Sequence, residues 1–220
     1  MVRAGGGRPE ALELQRASLK IARDLDEPGL TVRILASLSG SIVMTSNSPE
    51  AMAEASRLAE EAVTLSRSTG PPDLVAGALR ARSAVHSFAE RYDEACRDGL
   101  EAAGLFRAAG NAKGLSRVLN NLACDEIALG RLDDAQRHLD EALSKYPQLT
   151  DTSNSAFVFG NLALVYLLRD EPAAAREPAL ESLRSIQTDE RSVLRSSTCT
   201  WRFIIPLPAS RRRRPCCMVR

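Results

Sequence analysis

The sequence predicts an all-α solenoid built from about four stacked helical hairpins. Three observations predict it. Ala55, Ala95, Ala135 and Ala175 stand at equal intervals of forty positions. Ala22, Ala62, Ala102 and Ala142 keep the same step, with Ser182 after them, and Gly70 and Gly110 repeat it once more. A fixed period of about 20–50 residues marks an array in which each unit buries its apolar face on its neighbours. The third observation is composition: 44% hydrophobic residues but only 4% aromatics, so the core must be made of Ala, Leu, Val and Ile. Alanine has the best helix propensity and lets helices approach closely.

The elements follow in order. Residues 1–9 read as a flexible start. Their Gly5-Gly6-Gly7 run lacks a following Lys-Ser/Thr and a preceding strand, so it is no phosphate loop. The array spans 10–187 and opens at 10–25 with a lone second helix that carries Leu12, Leu19 and Ala22 on one face. The unit near 30–70 has a poorly patterned first helix around Leu35 to Met44. Its second helix is clear, with Ala55, Leu58, Ala59, Ala62 and Leu65 opened by Ser48-Pro49-Glu50. The unit near 76–110 carries Leu79, Arg82-Ser83, His86, Tyr92, Ala95, Gly99 and Ala102.

The unit near 116–150 is the best patterned. Leu119, Leu122, Ala123 and Ile127 form one apolar stripe, and Leu132, Ala135, Leu139, Ala142, Leu143 and Tyr146 form the next. Gly130 between them suits a left-handed cap, and Pro147 ends the second helix. The unit near 156–187 holds Phe159, Leu162-Ala163, Tyr166, Ala175, Ala179 and Ser182, with Arg169-Asp170-Glu171-Pro172 as a helix start. The period exceeds the length of one hairpin, and the surplus is expected between units, as in Ala109-Gly110-Asn111-Ala112-Lys113-Gly114.

These residues resemble a tetratricopeptide repeat. In the 116–150 unit the family's signature places hold Leu119, Leu122-Ala123, Ala135, Leu139, Ala142 and Pro147; Glu126 departs, standing where an aromatic is usual. The resemblance implies a right-handed superhelix and a non-catalytic scaffold for a protein or peptide segment. The longer period and Gly-rich connections, with the phrases LFRAAGNAKGLSRVLNNLA and NLALVYLLRDEPAAAR, also resemble the repeat regions of large bacterial LuxR-type regulators with a central ATPase. Neither a P-loop nor a DNA-binding helix-turn-helix signature accompanies them. That resemblance implies a fragment of, or accessory to, a transcriptional regulator; the alternative is an effector-sensing segment whose basic tail touches nucleic acid.

Charge is unevenly placed. The formal net charge of +1 conceals eight arginines and no acid from Arg191 onward; the rest holds 21 basic and 28 acidic residues, a net of −7. An acidic array is no nucleic-acid sleeve, since phosphate binding rests on Lys/Arg clusters. Only the Arg211-Arg212-Arg213-Arg214 run offers such a patch, for nucleic acid or an acidic membrane surface. Residues 188–220 contain Trp201, Cys199, Cys216 and Cys217, and read either as a genuine basic tail or as an out-of-frame continuation of a gene whose array goes on. The end of the array lacks a polar capping helix, which exposes it to self-association. No 18-residue apolar run or signal peptide is apparent, and five cysteines without metal spacing suggest a reducing, cytoplasmic setting.

No catalytic, cofactor or metal constellation is expected. His86 and His138 lack a partner histidine at metal spacing, and Cys96 and Cys124 lack a base beside them in sequence. Asp24-Leu25-Asp26-Glu27 and Asp133-Asp134 suit helix ends and starts. The remaining candidate is the concave groove. The family resemblance implies that first helices line it, which brings forward Arg80, Ala84 and Ser87, then Arg117, Asn120, Asn121, Cys124 and Ile127, then Gly160, Asn161 and Leu164. Of these, Arg80, Ser87, Arg117, Asn120, Asn121, Cys124 and Asn161 form the candidate peptide-binding set. Amides offer donors and an acceptor to a peptide backbone, and arginines pair with carboxylates.

Overall fold

The computed structural model describes residues 7–145 and 154–188. Among them every regular element is a helix: α1 Gly7–Asp24, α2 Pro28–Thr45, α3 Pro49–Thr69, α4 Pro72–Phe88, α5 Tyr92–Ala108, α6 Ala112–Ala128, α7 Leu132–Ser144, α8 Ser155–Leu168 and α9 Pro172–Thr188. Helices α2–α3, α4–α5, α6–α7 and α8–α9 are hairpins, and α1 packs on α2 as the lone leading helix. The fold is a tetratricopeptide-like solenoid.

Local chemistry sets the boundaries. Pro28, Pro49, Pro72 and Pro172 each open a helix, where the absent N–H is no loss. Ser48 Oγ accepts the Ala51 N–H at 3.2 Å, and Asn111 Oδ1 accepts the Gly114 N–H at 2.8 Å. Among the described residues, five helices end on one left-handed residue: Asp26, Glu90 and Asp170 (φ 53°, 58° and 61°), and Gly110 and Gly130 (φ 66° and 75°). Each makes the same pair of bonds. At the end of α4 the Glu90 N–H reaches the Ser87 carbonyl at 3.0 Å and the Arg91 N–H reaches the His86 carbonyl at 2.9 Å. The Gly130 and Asp170 turns repeat this pattern one and two periods further on. This is the Schellman closure, and it leaves three residues between helices.

These five connections are therefore short, and beside them the helices carry the surplus length of the period; between α7 and α8, which end and begin at Ser144 and Ser155, the surplus stands between units as expected. Ala112, Lys113 and Gly114, expected in a linker, form the first turn of α6. Helix α1 likewise begins at Gly7, ahead of the expected Glu10. Helix α2, weakly patterned in sequence, is complete because neighbours cover it on several sides, burying Val32, Leu35, Leu38, Ile42 and Val43. It has the length and mean hydropathy (18 residues, 1.2) to cross a membrane, yet these residues join the core of the array. Pro178, unremarked in the periodic reading, lies inside α9.

The repeated alanines are the contact points. Ala22, Ala55, Ala62, Ala95, Ala102, Ala135 and Ala142 have no exposed surface, and Ala175 is nearly as buried. Where the register departs from alanine, a polar bond replaces the methyl contact. Ser182 Oγ donates to the Ala156 carbonyl at 2.7 Å, and Gln15, one period before Ala55, donates to Ser37 Oγ at 3.0 Å. Gly70 and Gly110 share a register but not a task. Gly110 takes the left-handed turn; Gly70 has φ −105°, and a Cβ there would stand 2.8 Å from Leu74 Cδ2 and the Ser66 carbonyl.

The two rows of helices differ. First helices touch first helices, α2 with α4, α4 with α6 and α6 with α8. Second helices are bridged instead by long side chains: Arg67 to Glu101 at 2.8 Å and Arg107 to Glu141 at 2.9 Å, with Arg16 to Glu54 at 3.1 Å and Arg23 to Glu61 ahead of them. The row of first helices, in mutual contact, is taken as the inner wall and the row of second helices as the outer one.

A glutamate with positive φ is strained by about 1–2 kcal/mol relative to glycine. Glu90→Gly is expected to stabilise the fold by about 0.5–1 kcal/mol after its added unfolded-state entropy, whereas Gly130→Ala costs about 1–2 kcal/mol. Urea midpoints at unchanged m-value measure both; equal midpoints for all three proteins would show that the turns carry no strain.

Candidate functional site

The inner wall is formed by α2, α4, α6 and α8. Of the candidate residues, Arg117 is exposed on α6 and Arg80 and Asn121 are half-buried on α4 and α6. Arg80 makes no hydrogen bond or ion pair among the described residues. Burial lowers its pKa from the usual arginine value, and the charge of Arg117 lowers it further. Two neighbouring guanidinium groups thus stand without a carboxylate. Space is left beside them: a Cβ added to Gly77, one turn before Arg80 and one period before Arg117, would meet nothing within 4 Å.

Three other candidates are joined to one another. Asn161 Nδ2 on α8 donates to Asn120 Oδ1 at 3.0 Å and to Cys124 Sγ at 3.2 Å, both on α6. Asn120 and Asn161 are buried. They tie two successive units, so part of their bonding capacity is spent inside the protein. Burial pushes the Cys124 thiol up to about 12, which keeps it protonated. Ser87 is also buried, its hydroxyl donating to the Ser83 carbonyl at 3.0 Å. The structure therefore brings Arg80 and Arg117 together with Asn121 nearby on α6, gathers Asn120, Cys124 and Asn161 into a separate bridge, and sets Ser87 in the interior.

The sequence reading passed over a line of buried polar groups. His86 and Glu126 stand one period apart, as do Asp98 and His138. In α4–α5 the histidine lies on the first helix, His86 Nε2 being 3.6 Å from Asp98 Oδ2. In α6–α7 it lies on the second, His138 Nδ1 being 2.8 Å from Glu126 Oε2. The same pair recurs with its partners exchanged. This explains why Glu126 departs from an aromatic pattern, and it places His138 inside rather than in solvent. Arg82 adds a two-pronged bridge to Asp98, at 2.7 and 2.8 Å, with Glu60 at 2.8 Å. The signal was available: charged residues sat at register positions whose neighbours are apolar.

Asp125 lies beside this line. Burial raises its carboxyl to about 7; the Ser87 hydroxyl opposes the shift and Glu126 adds to it. Its Oδ2 has no hydrogen-bond partner. Cys96, buried nearby, is pushed up to about 12, first by burial and then by Asp125. Neither thiol is a nucleophile in this setting. Among the described residues no three His, Cys, Asp or Glu side chains are grouped to hold a metal ion. The Arg211–Arg214 run, Trp201, Tyr146, Pro147 and the remaining cysteines lie outside the described residues.

An inner wall of stacked first helices defines a repeat scaffold, and the comparisons agree with it. Residues 114–187 match the tetratricopeptide repeat family. No curated protein matches the chain. Among solved structures, BtubC (BKLC) from P. vanneervenii superposes with TM-score 0.66 and 21% identity over 97% of this chain and 80% of that one. Aspartyl phosphate phosphatase F from Bacillus subtilis gives 0.70 and 10% over 86% of this chain and 48% of that one. The STAND protein with a tetratricopeptide repeat sensor from Pyrococcus horikoshii gives 0.67 and 17% over 90% of this chain and 30% of that one. These likenesses establish the fold. The chain spans under half the length of the last two.

Asp125 gives the stability a pH dependence with a defined sign. Its folded-state pKa lies above the ordinary value of 3.8, so between there and about 7 the folded protein keeps a proton that the unfolded chain has lost. Stability falls as pH rises through that window and levels off above it. The fall due to this group is about 2–4 kcal/mol, and Asp125→Asn removes it. Urea titrations of both proteins at pH 4.5 and 8, within and above that window, measure the difference; parallel pH profiles would show that Asp125 titrates normally.

Proposed function

We propose that the inner wall binds an acidic segment of a partner protein, with Arg80 and Arg117 pairing its carboxylates and Asn121 contacting its backbone. The tetratricopeptide fold is generally a non-catalytic scaffold for protein association. The observation that carries the reading is Arg80: half-buried, without an acidic partner among the described residues, and beside a second arginine. Holding two like charges together in a partly desolvated place is unfavourable until an anion arrives. Arg33, Arg91, Arg97 and Arg176 also have no carboxylate partner among the described residues but are exposed to solvent, whereas Arg80 is half-buried and has a second arginine beside it.

The test is fluorescence anisotropy with a labelled Glu-rich decapeptide and its Gln-for-Glu counterpart. Arg80→Ala and Arg117→Ala are each expected to weaken binding of the Glu peptide about tenfold, or about 1.4 kcal/mol. Arg107→Ala, on the outer wall, should leave it unchanged. Equal binding of the two peptides by the wild-type protein would overturn the reading.

A second reading places the array as the sensor segment of a larger bacterial regulator of the LuxR type. The superposition on a STAND protein carrying a tetratricopeptide sensor, of which this chain covers 30%, supports it. Translating the coding DNA from about codon 180 in all three frames tests it. A frame that resumes the alanine register near position 215, one period beyond Ala175, supports a longer parent; the absence of one removes that support.

A further inference from the structure

The outer row of helices carries acidic residues at two repeated places. Glu54 and Glu61 of α3, Glu101 of α5 and Glu141 of α7 each receive an arginine from the preceding second helix. One period before Glu54 and Glu61, helix α1 has Leu14 and Ile21 instead. They are 69% and 58% exposed, and Leu25 continues the stripe at 63%. Apolar residues thus stand where α3 carries bridged glutamates at the same register. Scattered exposed leucines are ordinary, but a stripe at helical spacing on a helix face without a partner among the described residues marks a contact surface.

We infer that this stripe joins a second copy of the chain, α1 against α1 in antiparallel sense. The charges beside the stripe select that occupant and that direction. Glu13 precedes Leu14, and Lys20 precedes Ile21 by the same single residue. An antiparallel pair with its twofold axis near Ala17 and Ser18 sets Leu14 against Ile21 of the second copy and Glu13 beside Lys20 of the second copy. Lys20 has no carboxylate partner among the described residues, and the Glu13 side chain is 72% exposed, held only by Arg16 on its own helix at 2.8 Å. A twofold contact is self-complementary in this way, each residue meeting its counterpart twice. One helix pair buries less than a standard interface, so the dimer is a weak, concentration-dependent one.

Sedimentation velocity on the full chain across a wide concentration range tests this, with circular dichroism as the folding control. The wild-type protein is expected to pass from monomer to dimer. Ile21→Glu, which installs the residue of the other outer helices, is expected to raise the dissociation constant at least about tenfold. Glu13→Lys should weaken the dimer, and adding Lys20→Glu to it should restore it. A wild-type monomer at every concentration, or a dimer indifferent to these variants while helicity is unchanged, would overturn the proposal.

Discussion

The structure depends on the closeness that alanine allows. At the repeated positions of each hairpin stands a buried alanine, whose single methyl group lets neighbouring helices approach closely. Dispersion contacts grow steeply with such closeness, and the leucines between the crossings, among them Leu35, Leu79, Leu119 and Leu139, are fully buried in one continuous core. A larger residue at Ala95 or Ala135 would force whole helices apart, because cores this dense absorb added volume poorly. With few aromatics, the molecule has little else with which to fill a gap.

That constraint explains why the fold was legible in sequence. A residue needed at one crossing is needed again one unit later, so the alanine register reported the architecture directly. The left-handed turns were legible only where glycine occupied them. Gly130 signalled its turn, but Glu90 and Asp170 perform the same task with side chains that carry no such signal. The lengths of the helices were misjudged for a related reason: a Gly in the first turn of α6 reads as a break, yet Gly114 is there because the Phe106 ring would lie 2.6 Å from a Cβ.

The candidate site was legible in part. A helical register states which residues share a face, and it sets Arg80 and Arg117 on neighbouring first helices, α4 and α6. It does not state which polar groups a neighbour consumes. Asn161 was as prominent in sequence as Asn121, but it lies one unit further on, within reach of Asn120 and Cys124, and its donors turn inward. The His–acid pairs escaped because each half sits on a different helix of its hairpin, across the turn from its partner, and neither half is conspicuous alone. Their exchange between α4–α5 and α6–α7 shows that either helix of a hairpin can supply the acid.

The bridges along the outer row set the mechanical character of the array. Exposed pairs such as Arg67–Glu101 contribute at most about 1 kcal/mol each and weaken in salt, whereas the inner row is fixed by packed side chains. The two sides therefore differ in compliance. High ionic strength therefore loosens the outer edge first, while each hairpin, locked by its own short turn and packed on the next, keeps its shape.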